Sequence, residues 1–250
     1  MKRRPITAGN WKTNMLVSEA EALVKGLKSG LDGTEEVDVV VAPPFPSLCA
    51  VGKALRGSSI ALAGQNLHWE ASGAYTGEVS AKMLLDVGCK YVIIGHSERR
   101  QYFGETDETV NRRVKAALSA GLDPIVCVGE VLEERRSGRT WEVVGRQTRE
   151  GLAGVSKGDA KRLVIAYAPV WAIGMGETAS PDQAQEVHAK IRGLIGELYD
   201  REIAQGLRIQ YGGSVKPDNV RGLMDQPDVD GALVGGASLK VESFLGIVKF

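Results

Sequence analysis

Cysteine, histidine and net charge are all scarce in this chain of 250 residues. Its three cysteines, Cys49, Cys89 and Cys127, are scattered and include no Cys-x-x-Cys pair. They build no disulfide framework, and a reduced, cytoplasmic setting is expected. Three separated histidines with no Cys/His cluster give no reason to expect zinc or another metal. The 31 Lys and Arg are matched by 31 Asp and Glu. That balance argues against a broad cationic surface for nucleic acid or an acidic membrane. No apolar run approaches the roughly 20 residues that span a bilayer. Met1 to Pro5 is basic, but the polar stretch Thr7 to Asn14 interrupts any signal-type core, so no targeting segment is read. Neither GxGxxG nor GxxxxGK[ST] is present, so no dinucleotide or nucleoside triphosphate is indicated.

Glycine, by contrast, is plentiful, at 31 of 250 residues. A low-complexity chain would cluster it. Here it is spread along the sequence and recurs near the ends of apolar runs, as tight connections between regular elements require. Those runs are near Ile6 to Ala8, Val37 to Ala42, Ile60 to Ala63, Tyr91 to Ile94, Pro124 to Val128, Leu163 to Tyr167, Leu207 to Tyr211 and Gly231 to Val234. Several are almost continuously aliphatic, which suits parallel strands buried on both faces.

Helical patterns separate the runs. Ser18 with Glu21 reads as a capping box opening a helix to about Lys28. Thr106 opens another, with Gly121 past its end. Ser180-Pro181-Asp182-Gln183 opens a third, running to about Asp200. Arg112, Arg113 and Lys115 read as a solvated face. Eight strand–helix alternations in this length predict an α/β chain, a single-domain (β/α)8 barrel over residues 1–250. A doubly wound open sheet shares the alternation and is the runner-up.

In such a barrel, functional groups follow the C-terminal ends of the strands. After the first run comes Asn10-Trp11-Lys12, with a positive charge at the mouth. After the fourth comes Gly95-His96-Ser97-Glu98-Arg99-Arg100, and His96 is the one histidine at a strand end. His68 and His188 lack that context and read as structural or surface residues. After the sixth comes an apolar, Gly-containing segment, Ala168 to Glu177, which reads as a lid. After the last two come Gly212-Gly213-Ser214 and Gly235-Gly236-Ala237-Ser238. Paired glycines there suit a small phosphorylated ligand.

These strings are specific. Ala8 to Lys12, Gly95 to Arg100, Cys127-Val128-Gly129-Glu130, Pro169 to Gly174, Tyr211 to Val215 and Gly231 to Ser238 fall in one order along the whole chain. The chain closely resembles the triosephosphate isomerases. The resemblance implies interconversion of dihydroxyacetone phosphate and D-glyceraldehyde 3-phosphate through an enediol(ate), in glycolysis and gluconeogenesis. It implies no cofactor and no metal. Asn10 and Lys12 would stabilise charge on the substrate oxygen. His96 would act as a neutral electrophile, and Glu98 would hold Lys12. Backbone amides of Gly174, Ser214, Gly235 and Gly236 would meet the phosphate. Ile173 and Leu233 would exclude water. A homodimer is implied too, with Tyr75, Thr76 and Gly77, in the loop Gln65 to Val79, inserted beside Asn10 and Lys12 of the other subunit.

One position departs. The family carries a glutamate immediately before Pro-Val-Trp, and that carboxylate removes the carbon-bound proton. Here the position is Ala168, which has no titratable group. Met175 and Glu177 also stand where Thr and Lys are common. The expectation is an isomerase stripped of its base. The alternatives are a non-catalytic or repurposed phosphate-binding barrel, or partial substitution by Glu177.

Overall fold

The computed structural model describes residues 3–31, 33–172 and 179–250. Eight parallel strands close on themselves in chain order: β1 Ile6–Asn10, β2 Asp38–Ala42, β3 Ala61–Gly64, β4 Cys89–Ile94, β5 Asp123–Val128, β6 Val164–Tyr167, β7 Arg208–Tyr211 and β8 Gly231–Val234. Closure comes from β1 pairing with β8, Ile6 opposite Gly231 and Ala8 opposite Leu233. The runner-up open sheet is thereby excluded. Each expected strand is present, its ends shifted by no more than two residues.

Alternation along the strands divides the interior in two. Ile6 and Ala8 of β1, Val40 and Ala42 of β2, and Val164 and Ala166 of β6 fill the barrel. Val39 and Val41, Ile165 and Tyr167 face outward against the helices. A strand buried on both sides needs apolar residues at every position, which is why these runs lack a polar face. Small side chains at Ala8, Ala42, Ala63 and Ala166 leave room near the axis for larger neighbours such as Tyr91 and Ile93.

Two helix starts form as the sequence requires. Thr106 caps Asp107–Ala120, accepting from the Thr109 amide, and Gly121 ends that helix in the left-handed region at φ 105°. Ser180 caps Pro181–Leu198 in a reciprocal box with Gln183. That helix stops at Leu198, short of Asp200. Asp200 instead caps Arg201–Gly206, its carboxylate accepting from the Ile203 amide at 2.8 Å.

Two expectations are corrected. The first helix is Val17–Gly30, so Ser18 lies inside its first turn and is not the cap. The Glu19 carboxylate takes the Leu16 amide at 2.7 Å and satisfies that end without a hydroxyl. Arg113 does not belong to a solvated face. It is buried, donates to the Leu67 carbonyl at 2.9 Å and pairs with Glu105 at 3.4 Å. Arg112 and Lys115 on the same helix are exposed. Both remaining histidines are interior: His68 is buried and His188 is fully enclosed.

At the closed end of the barrel, Arg192 reaches Asp228 at 2.5 Å and Asp230 at 2.6 Å. Its guanidinium also donates to the Ala204 and Leu207 carbonyls. This end is held by satisfied ion pairs and leaves the opposite end, where the strands finish, for chemistry.

Candidate active site at the barrel mouth

The β1 strand ends in Asn10, whose side-chain oxygen accepts the Lys12 amide at 3.0 Å. That bond helps hold Lys12 at φ 53°, a left-handed conformation costing a non-glycine residue roughly 1–2 kcal/mol. Gln65, just past β3, adds a second restraint by donating to the Lys12 carbonyl at 2.8 Å and the Ala42 carbonyl at 2.8 Å. The strained backbone aims the side chain across the mouth. Lys12 Nζ meets Glu98 Oε1 at 2.6 Å. Gln65 as a support for Lys12 is not legible from the motifs, although it obeys the same rule: a polar residue directly after a strand.

His96 follows β4 and precedes the helix Ser97–Tyr102. Its Nδ1 accepts the Glu98 amide at 3.3 Å, which leaves the proton on Nε2. Burial lowers its pKa to about 4, opposed by the nearby Glu98 carboxylate and reinforced by Lys12 and Arg99. The imidazole is therefore neutral at physiological pH and offers an N–H donor.

Asn10, Lys12, His96, Leu233, Ser214 and Gly235 border one cavity of about 250 Å³, with Gly212, Gly213 and Gly236. Residues at or just after the ends of β1, β4, β7 and β8 thus converge at one end of the barrel. Gly236–Leu239 is a short 3₁₀ turn starting at the cavity edge. The Ser214 amide is occupied: it donates to the Ala172 carbonyl at 3.1 Å. A ligand using that amide must replace the Ala172 contact. Ile173, Gly174, Met175 and Glu177 lie outside the described residues.

Ala168 follows β6 directly and continues the inward alternation of Val164 and Ala166. Its amide donates to the Val128 carbonyl at 2.8 Å. Its backbone and side chain are wedged between two glycines. A Cβ on Gly129 would come to 1.9 Å from the Ala168 carbonyl oxygen, and one on Gly212 to 2.8 Å from the Ala168 Cβ. Neither position tolerates a side chain without displacing residue 168.

The Gly129-Glu130 string after β5 has its own role. Gln147 clamps Gly129 through both amide atoms. Glu130 is fully buried and accepts from the Tyr167 hydroxyl at 3.1 Å and the Trp171 indole at 3.0 Å. Burial, and then the Glu130 charge, pushes the Tyr167 hydroxyl well above the ordinary tyrosine range, so it stays a donor. This cluster anchors the start of the segment that follows Ala168.

The loop after β3 projects from the body. Residues 70–78 are all exposed, including Tyr75, Thr76 and Gly77. Its base is pinned by the His68 amide donating to the Val79 carbonyl at 2.8 Å, and His68 packs on Tyr75 with ring centres 4.3 Å apart. Among the described residues, no group of three or more His, Cys, Asp or Glu is placed to hold a metal, and no helix is long and apolar enough to cross a membrane.

Comparison with known proteins points to one family. The family model for triosephosphate isomerase matches residues 5–250. A triosephosphate isomerase of Carboxydothermus hydrogenoformans is 60% identical over 247 residues, covering 99% of this chain and 98% of its own. One from Moorella thermoacetica is 60% identical over 248 residues, covering 99% of both chains. One from Geobacter metallireducens is 56% identical, again over 99% of both. With a family model matched over nearly its whole length, relatives near 60% identical and a closed eight-stranded barrel, the chain belongs to the triosephosphate isomerase family.

Proposed function

We propose that this chain is a triosephosphate isomerase scaffold without its general base. It takes dihydroxyacetone phosphate and D-glyceraldehyde 3-phosphate at the barrel mouth and interconverts them through an enediol(ate) at a severely reduced rate. Ala168 carries the proposal. The inward position after β6, where the family has a glutamate, bears a methyl group that accepts no proton.

The other parts have the chemistry the reaction needs. Lys12 supplies fixed positive charge, and Asn10 a polar side chain, beside the substrate oxygens. His96, neutral and with a proton on Nε2, donates to the oxygen on which charge develops. Preorganised donors of this kind act where charge grows in the transition state. Glu98 positions Lys12. Ser214, Gly235 and Gly236, with Gly174, receive the phosphate, and Ile173 and Leu233 keep water out. Loss of the base removes a contribution of about 10²–10⁴ in rate, or about 3–5.5 kcal/mol of barrier. Substrate binding survives, since no phosphate or oxyanion group is altered.

The full chain acts as one domain and as a homodimer in the cytoplasm, with Tyr75, Thr76 and Gly77 packed into the other subunit. Sedimentation at twice the 26.7 kDa chain mass is the expected result, and a monomer at micromolar concentration would contradict it.

Binding of 2-phosphoglycolate, which mimics the enediolate, tests the proposal without requiring turnover. Submicromolar affinity by calorimetry is expected, because the charge-stabilising groups remain. An absence of binding would favour a repurposed barrel.

A further inference from the structure

A second cavity of about 150 Å³ lies on the other side of Ala168. Gly95, Ser97, Arg100, Cys127, Glu134 and Ala168 are among the residues that border it. Neighbouring residues border it and the substrate cavity. Ser97 borders one and its neighbour His96 the other. Ala168 borders one, and its Cβ lies against Gly212, which borders the other. An apolar cavity of similar volume holds a molecule as large as benzene.

The lining here is mainly apolar but includes a cation with one unsatisfied nitrogen. Arg100 donates through Nε to the Gly95 carbonyl at 2.9 Å and through Nη1 to Asp107 at 2.6 Å. Its third nitrogen, Nη2, is buried with no hydrogen-bond partner among the described residues. That nitrogen lies beside Gly95, where an added Cβ would be 3.2 Å from it. A buried donor without an acceptor is costly, and an anion would satisfy it. Burial pushes the Cys127 thiol up to about 12, so it brings no competing charge. Glu134 is the one carboxylate among the described bordering residues, and its Oε2 is engaged by the Val131 amide at 2.9 Å.

We propose that this cavity is a binding site for a small monocarboxylate of formate or acetate size, which supplies the base that the chain lacks. The inference rests on the reading of Ala168 as a missing base. The carboxylate oxygen takes the proton from C1 of dihydroxyacetone phosphate. The C–H electron pair becomes the enediolate, and the resulting carboxylic acid returns the proton to C2. Nothing is consumed, so the anion acts as a catalyst.

The test is isomerisation by the full chain at pH 7 with sodium formate replacing sodium chloride at constant ionic strength. The expected rate rises at least about tenfold and saturates with formate. Glu134→Gln lowers the half-saturating formate concentration roughly threefold by removing a nearby like charge. Ala168→Glu, with its own carboxylate in place, does not respond to formate. A linear, unsaturable rise, or an equal fold-response in Ala168→Glu, would mean catalysis from bulk solution and overturn the site. No response to formate, alongside an active Ala168→Glu, would overturn the site and leave the missing-base reading intact. An inert Ala168→Glu would overturn that reading itself and the site with it.

Discussion

Lys12 and Glu98 meet at 2.6 Å across the mouth of the barrel, joining the loop after β1 to the helix after β4. Both are partly exposed, so the pair contributes little to stability. Its importance is positional. Glu98 selects one direction for a flexible ammonium that would otherwise sample many. In a chain carrying Ala168→Glu, we predict that Glu98→Gln lowers kcat/KM by about 10- to 100-fold, since a misplacement near 1 Å can cost that much. Thermal stability should change little. Steady-state kinetics beside a melting curve checks both, and a kcat/KM within twofold of the parent would refute the positioning role.

Two buried imidazoles set the acid side of stability. His96 and His188 both have pKa values lowered to about 4, chiefly by burial. His188 is further shaped by its contact with the Asp228 carbonyl and by Arg192. Between pH 4 and 6.5 the unfolded chain holds more protons than the folded one. Stability is therefore complete above 6.5 and falls as the pH drops toward 4, by about 3 kcal/mol for each histidine. Urea unfolding at pH 7, 5.5 and 4.5 measures this. His188→Gln should remove about half of the histidine-dependent slope, and an unchanged slope would count against the burial argument.

Glu130 is a fully enclosed carboxylate that accepts from the Tyr167 hydroxyl, the Trp171 indole and, at 3.4 Å, the Thr140 hydroxyl, with Arg135 at 3.7 Å. Its removal takes the acceptor from the Tyr167 hydroxyl and the Trp171 indole. Glu130→Ala should destabilise by about 2–4 kcal/mol. Trp171 emission should shift as the indole loses its partner. Glu130→Gln, which keeps an acceptor oxygen, should lose less. A denaturation midpoint equal to the parent's for Glu130→Ala would contradict this account of how the segment after β6 is anchored.

The fold was legible because parallel strands buried on both faces leave unbroken aliphatic runs, and eight of them alternated with helical patterns. Strand-end residues were legible for a related reason: Asn10, Lys12, His96 and the two glycine pairs are polar or small where an apolar run stops. Three features were not legible. The start of the first helix depended on Glu19 reaching back to an amide, which outranked the hydroxyl of Ser18. The burial of Arg113 depended on Glu105 and the Leu67 carbonyl, both brought in by tertiary packing. The cavity behind Ala168 is bordered by residues far apart in the chain, from Gly95 to Val170, and packing that unites them leaves no pattern in one sequence.

The most direct test compares this chain with Ala168→Glu in both directions of triose phosphate isomerisation. The cavity beside residue 168 gives the longer side chain somewhere to go. The account predicts a kcat at least about 10²-fold higher in the Glu variant, with KM little changed. A correctly folded Glu variant that remains inert on both triose phosphates would contradict it.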